Sequence, residues 1–128
     1  MIGTKIAGRY KIEEQLGAGG LGVVYRAHDT RLDRLVAIKI LRDSSLSAQG
    51  RERLLTEAQA AAQLNHPNII TIHDVARSGE AEYIVMELAS GGSLQNNPPG
   101  GLEDTLEAAR QICAALDFAH RSGIIHRD

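Results

Sequence analysis

The chain has 128 residues, of which 43% are hydrophobic and 23% are charged, as is usual for a globular domain. Its net charge of −2 offers no long-range attraction for nucleic acid or an anionic membrane, which argues against a binder of either. The single cysteine, Cys113, excludes an internal disulfide, and no apolar run approaches the roughly 20 residues that span a bilayer. We therefore expect a cytoplasmic location.

The first third of the chain has the pattern of strands joined by turns. Residues 10–16 alternate loosely and predict a strand, and residues 17–22 form a glycine-rich turn. A second strand is predicted at 23–28. After a polar hairpin, residues 35–41 are rich in valine and isoleucine and predict a third strand.

The hydrophobic period then changes to that of a helix. Over residues 47–64 an apolar stripe recurs at helical spacing, and Pro67 ends the pattern. Strands are predicted at 69–75 and 82–88, followed by a linker rich in glycine and proline. A last helix is predicted at 102–121, with its buried face formed by Leu106, Ala109, Cys113 and Leu116. The order predicts an α+β fold: a five-stranded antiparallel sheet with one packed helix, then a hinge and a separate helix.

The glycine turn has the spacing G-x-G-x-x-G at Gly17, Gly19 and Gly22. Alone this spacing is ambiguous between a flexible hairpin, a dinucleotide-binding turn and a phosphate-binding loop. A dinucleotide turn opens into a helix, whereas Val23 and Val24 here favour a strand. Glycines between two antiparallel strands allow backbone amides to approach phosphate oxygens closely.

One lysine and one glutamate lie in apolar surroundings. Alternation along residues 36–41 puts Lys39 on a half-buried face, where an ammonium group needs a partner unless it reaches solvent at a sheet edge. Glu57 falls on the apolar stripe of the following helix, and we expect it to pair with Lys39. The alternative is that Glu57 lies at the edge of the stripe and reaches solvent.

These motifs together resemble those of the eukaryotic-like, bacterial-type serine/threonine protein kinases. The resemblance covers residues 9–128 and rests on motifs in the family's order. They are L-G-A-G-G-L-G-V-V-Y at 16–25, V-A-I-K at 36–39, Glu57, N-H-P-N-I-I at 65–70, V-M-E-L at 85–88 and H-R-D at 126–128. The resemblance implies a kinase N-lobe at residues 1–88, a hinge and linker at 89–101, and the start of the C-lobe at 102–128.

The resemblance also implies roles for individual residues. Lys39, held by Glu57, would contact the α- and β-phosphates of ATP, and Asp128 would be the catalytic aspartate that accepts the substrate hydroxyl proton. The remaining ATP contacts would come from the glycine loop, the adenine pocket, the hinge and the ribose position: Leu16, Gly17, Ala18, Gly19, Gly20, Leu21, Gly22, Val24, Ala37, Met86, Glu87, Ala89 and Ser93.

The family's magnesium ligands, an asparagine and the aspartate of D-F-G, would follow Asp128, and the 128 residues contain neither motif. We therefore expect no metal ligands in the chain, although the family uses Mg²⁺ with ATP. The expected partners are ATP and a protein substrate, with the chain alone inactive, and the full-length protein could carry a membrane anchor after residue 128. The alternative is a non-catalytic nucleotide-binding or interaction module, like a pseudokinase.

Overall fold

A computed structural model describes residues 1–20, 22–41 and 47–126. The strands are β1 (Lys5–Ile6), β2 (Tyr10–Gly19), β3 (Gly22–Asp29), β4 (Arg34–Leu41), β5 (Ile72–Ser78) and β6 (Ala81–Met86). The helices are α1 (Ala48–Ala61), between β4 and β5, and α2 (Leu102–Arg121). Residues 87–101 contain neither a helix nor a strand, as their content of glycine, proline and asparagine predicts.

The strands form one antiparallel sheet in the order β1-β2-β3-β4-β6-β5. It contains the five predicted strands and one more, β1, which pairs with the start of β2. A tight turn connects the two, with Ala7 at φ 50° and Gly8 at φ 65°, and the Arg9 N–H donates to the Ile6 carbonyl at 3.0 Å. A two-residue strand is too short to show alternation, so the sequence pattern could not indicate it.

The hydrophobic core lies on one face of the sheet. Strand β4 contributes Val36, Ile38 and Ile40, and antiparallel partners on the neighbouring strands lie on the same face. The rings of Tyr10 and Tyr83 meet edge to face with centroids 6.2 Å apart. The buried cluster consists of Tyr10, Ile12, Ala27, Val36, Ile38, Ile40, Tyr83 and Val85.

Asp29, at the end of β3, is a buried charge with only 1% of its surface exposed. Arg9 donates two hydrogen bonds to its carboxylate, at 2.8 and 2.6 Å, and the N–H groups of Arg31 and Leu32 donate two more. The Arg9 bonds are the main reason that the pKa of Asp29 lies far below its usual range, with the two backbone bonds adding to the effect. The Arg9 guanidinium also lies 4.8 Å from the centroid of the Tyr10 ring.

Helix α1 starts at the N-cap Ser47, whose hydroxyl accepts a hydrogen bond from the Gly50 N–H at 3.1 Å. The helix packs against β5, and Ala58 is its one buried residue. The predicted apolar stripe therefore exists but is narrow. A helix with so little buried surface depends weakly on the sheet for its position.

Helix α2 has no buried residue, and Leu106 on its predicted inner face is 61% exposed. The prediction that Cys113 is a core residue is wrong, because its side chain is exposed. The periodicity of α2 marks an apolar face correctly, but periodicity cannot show whether another element covers that face. The contacts of α2 with the segment before β5 include the rings of Phe118 and His66, 5.1 Å apart, and a 3.2 Å hydrogen bond from Asn68 to Gln111.

The Arg9–Asp29 pair predicts an acid-sensitive contribution to stability. Because the pKa of Asp29 is lowered in the folded state, the contribution is present above the ordinary aspartate pKa of about 3.9 and is lost as the pH falls below it. We expect Asp29→Asn to lower the free energy of unfolding at pH 7 by about 3 kcal/mol, since it removes the buried member of a partly buried ion pair.

Urea denaturation monitored by circular dichroism, repeated from pH 7 to pH 2.5, measures this contribution. The difference between the two proteins should shrink below about pH 4. The matched control is Arg110→Ala, which removes the exposed Glu107–Arg110 pair on α2 and should change stability little. A difference that stays constant down to pH 2.5 would contradict this account of Asp29.

Candidate functional site

The face of the sheet opposite the core brings several of the predicted site residues together. Lys39 on β4 is aligned with Val24 on β3 and with Ile84 on β6. Two pairs along, and on the same face, Ala37 is aligned with Met86. Antiparallel partners of this kind have Cα atoms roughly 4.5–5.5 Å apart, so the four predicted residues Val24, Ala37, Lys39 and Met86 form one contiguous surface.

Lys39 is the one charged residue among these positions, and Arg26, which is aligned with Ala37 on β3, lies beside them on the same face. Ala37 is 6% exposed and Ile84 is 7% exposed, whereas Val24, Lys39 and Met86 are half-buried. Ile84 was missed as a site residue, although alternation along β6 from Met86 would have identified it. An ammonium group beside a flat apolar surface can hold an anionic group while the apolar part of the same ligand covers the surface.

The glycine turn, residues 17–22, lies at the end of the hairpin formed by β2 and β3, and Gly17–Gly19 belong to β2, which extends beyond the predicted strand at 10–16. Gly17 is aligned with Val24, and Gly19 with Gly22, so the turn continues directly from the Lys39 surface. A side chain added at Gly17, Gly19 or Gly20 would meet no described atom within 4 Å. Packing within the described chain therefore gives no reason for glycine at these three positions, and the open space can accept a ligand against the backbone.

Gly22 differs from the other glycines of the turn. A methyl group there would collide with the Ile40 carbonyl oxygen and lie 3.3 Å from the Cα of Leu41. Gly22 also has φ 155°, a conformation that side chains disfavour. This glycine lets β3 approach β4 where the glycine turn ends and β3 begins. Leu16 and Ala18 of the predicted loop are exposed, and Leu21 lies outside the described residues.

The expected burial of Glu57 is corrected by the structure. Its side chain is 51% exposed and its carboxylate lies 3.6 Å from Arg53, one turn earlier in α1. Among the ion pairs of the described residues, none joins Glu57 to Lys39. Ala58 faces the sheet, and adjacent residues of an α-helix differ by about 100° around the helix axis. Glu57 is therefore turned away from the sheet. Glu57 therefore lies at the edge of the stripe, the alternative left open by its spacing.

The segment after β6 is fixed by hydrogen bonds to neighbouring parts of the chain. The Glu87 N–H donates to the Thr71 carbonyl at 2.8 Å, and the Glu87 carboxylate accepts from the Thr71 N–H at 3.1 Å. Ala89 and Ser93 are exposed. The Ser93 carbonyl accepts from the Asn97 N–H at 2.9 Å, which folds the linker into a turn.

Asp128 lies outside the described residues, so the structure does not place the predicted catalytic aspartate relative to Lys39. Within residues 1–20, 22–41 and 47–126, no group of three or more histidine, cysteine, aspartate or glutamate side chains is arranged to hold a metal ion. No helix in these ranges has the length and apolar character to cross a membrane.

The family profile and the relatives that match this chain all belong to protein kinases. The profile of the family described as "Protein kinase domain" matches residues 10–128. The chain is 44% identical over 133 residues to a Clostridium acetobutylicum protein named as a probable serine/threonine-protein kinase, and 42% identical over 133 residues to serine/threonine-protein kinase PrkC of Bacillus subtilis. Both matches cover 100% of this chain but only 20% of the relative, so the chain spans about a fifth of their length.

The fold also has a counterpart among solved structures. The kinase domain of PknI from Mycobacterium tuberculosis, solved as a point mutant, superposes with a TM-score of 0.81 at 29% identity. The match covers 100% of this chain and 54% of that one. The antiparallel sheet and the helices described above are therefore those of a kinase N-lobe followed by a first C-lobe helix.

The different surroundings of the glycines predict different costs of substitution. Gly22→Ala should destabilise the fold by about 2 kcal/mol, because the added methyl group must displace the β4 backbone. Gly17→Ala is the matched control and should change stability by less than about 0.5 kcal/mol, since open space surrounds it. Urea denaturation of both variants measures the difference, and equal stability of the two would contradict the packing described for Gly22.

Proposed function

Because the chain belongs to the protein kinase family, with relatives that are serine/threonine-protein kinases, we propose that it is the ATP-binding part of such a kinase. The complete enzyme would transfer the γ-phosphate of ATP to serine or threonine hydroxyl groups of a protein substrate. The single observation that carries the proposal is the register that aligns Lys39 with Val24, beside the open glycine turn. A reaction that uses ATP supports a cytoplasmic location for this part of the protein.

The phosphate end of the site consists of the glycine turn and Lys39. Gly17, Gly19 and Gly20 leave open space over the backbone, so phosphate oxygens can approach its N–H groups without meeting a side chain. The Lys39 ammonium on β4, which β3 separates from β2, would neutralise the α- and β-phosphates. In the proposed role, the loop that covers these phosphates is completed by Leu16, Ala18, Leu21 and Gly22.

The adenine end consists of the apolar residues of the same surface and the segment after β6. Val24 and Ala37 would pack against the two faces of the adenine ring, with Met86 behind it. Glu87 and Ala89 would offer backbone groups to the edge of the ring, and Ser93 would contact the ribose. The half-buried, apolar character of Val24 and Met86 supports this assignment, since a planar ring gains affinity by covering such surface.

The catalytic step requires groups beyond those that hold ATP. Asp128 would orient the substrate hydroxyl and accept its proton, and Mg²⁺ would neutralise charge on the transferring phosphate. The 128 residues contain no D-F-G sequence and no catalytic-loop asparagine after H-R-D. We therefore propose that ATP and Mg²⁺ are used by the complete kinase, and that the chain by itself holds ATP without transferring phosphate.

The position of Glu57 favours a resting arrangement of α1. In the proposed active arrangement the Glu57 carboxylate would hold the Lys39 ammonium, whereas here it lies 3.6 Å from Arg53 on its own helix. Bringing it to Lys39 requires α1 to rotate, and the small buried surface of α1 offers little resistance to rotation. The same feature suits the alternative function, a non-catalytic nucleotide-binding or interaction module, so ATP binding and phosphate transfer need separate tests.

Nucleotide binding is tested at Lys39. Lys39→Met should weaken ATP binding about 10-fold or more, because a charge-assisted contact to phosphate is lost. Lys11→Met is the matched control, since Lys11 is an exposed lysine on β2 and its loss should leave the affinity unchanged. Isothermal titration with ATP and magnesium chloride gives both dissociation constants. No ATP binding by the unchanged chain would leave only an interaction role.

Phosphate transfer is tested with γ-labelled ATP. The purified 128-residue chain should label neither itself nor a generic protein substrate above the level of its Lys39→Met variant. Labelling by the unchanged chain that disappears in the variant would overturn the proposal that this chain is inactive by itself.

A further inference from the structure

The hydrogen bonds between Glu87 and Thr71 depart from the regular ladder in one respect. Opposed residues of a regular antiparallel ladder alternate between pairs that exchange two backbone hydrogen bonds and pairs that exchange none. The pairing of β5 with β6 runs from Ser78–Ala81 to Ile72–Met86, and Thr71 and Glu87 are the next residues outward on the two strands. One of their two bonds is regular: the Glu87 N–H donates to the Thr71 carbonyl at 2.8 Å.

The second bond has a different acceptor. The Thr71 N–H donates to the Oε2 atom of the Glu87 side chain at 3.1 Å and not to the Glu87 main-chain carbonyl. The carboxylate thus replaces the carbonyl as the acceptor at this end of the ladder. Among the described residues no hydrogen bond occupies the Glu87 carbonyl.

We propose that the Glu87 side chain is a positioning residue, which occupies the Thr71 N–H so that the Glu87 carbonyl stays available to the amino group of adenine. The inference rests on the proposed ATP site and adds a side-chain requirement to it. If the regular ladder continued past Met86, the Glu87 N–H and carbonyl would point to the same side of the strand, and the carbonyl would accept from the Thr71 N–H. The carboxylate takes that place, so the carbonyl is released from it. Without the carboxylate, the Thr71 N–H and the adenine amino group compete for one carbonyl.

The proposal has a consequence that a purely structural role does not share. In Glu87→Ala the Thr71 N–H regains a partner, the main-chain carbonyl of residue 87, so little stability is lost. The affinity for adenine falls, because that carbonyl is now occupied. The affinity for a ligand without adenine does not change. Glu87→Gln keeps a side-chain oxygen that accepts the same bond and should behave like the unchanged chain.

The experiment measures ATP and inorganic tripolyphosphate binding by isothermal titration for the unchanged chain, Glu87→Ala and Glu87→Gln. The expected result is about a fivefold to tenfold loss of ATP affinity in Glu87→Ala, the size of effect expected for one hydrogen bond to a bound ligand, with tripolyphosphate affinity and urea stability unchanged. Glu80→Ala, in the turn between β5 and β6, is the control for removing an exposed glutamate elsewhere.

Nuclear magnetic resonance tests the exchange of acceptors directly. A scalar coupling through the hydrogen bond, between the Thr71 nitrogen and the carbonyl carbon of residue 87, should be absent from the unchanged chain and present in Glu87→Ala. Full ATP affinity in Glu87→Ala, or this coupling in the unchanged chain, would overturn the inference and leave the proposed function standing. If the unchanged chain binds no ATP, both are overturned.

Discussion

The two-residue period of strand β4 is the constraint on which both the core and the site depend. Val36, Ile38 and Ile40 point to one face and form the centre of the buried cluster, while Ala37 and Lys39 point to the other. A shift of one residue in the register would put the Lys39 ammonium into the core and an isoleucine onto the face of the candidate site. The burial of the core therefore also fixes where the charge of the site lies.

Strand β3 keeps this register because both of its ends are fixed, one by hydrogen bonds to a buried carboxylate and the other by close backbone packing. At one end Asp29 is buried and receives four hydrogen bonds, two of them from Arg9, so the start of β2 is tied to the end of β3. At the other end Gly22 has no side chain, and its backbone packs closely against Ile40. Val24 lies between these points and is held opposite Lys39.

The helices are attached much more loosely than the strands. Helix α1 buries one residue and α2 buries none, and the contacts of α2 with the rest of the chain include one ring contact and one hydrogen bond to the segment before β5. The same segment ends at Thr71, which holds Glu87. A sheet that holds the residues proposed to contact phosphate and adenine, beside a helix that is only loosely held, suits the proposed site if its ligand binding and catalysis are controlled separately.

The sequence by itself determined the features that depend on near neighbours along the chain. Alternation predicted five of the six strands and the two faces of β4, and the valines after Gly22 distinguished a glycine turn between strands from one that opens a helix. Only the tertiary structure decided the features that depend on distant parts of the chain. Periodicity put Glu57 on a stripe, but the packing of Ala58 turned it toward solvent. The carboxylate of Glu87 found its partner sixteen residues earlier, at the end of the β5–β6 hairpin, and no local pattern indicates that the side chain replaces the main-chain carbonyl there.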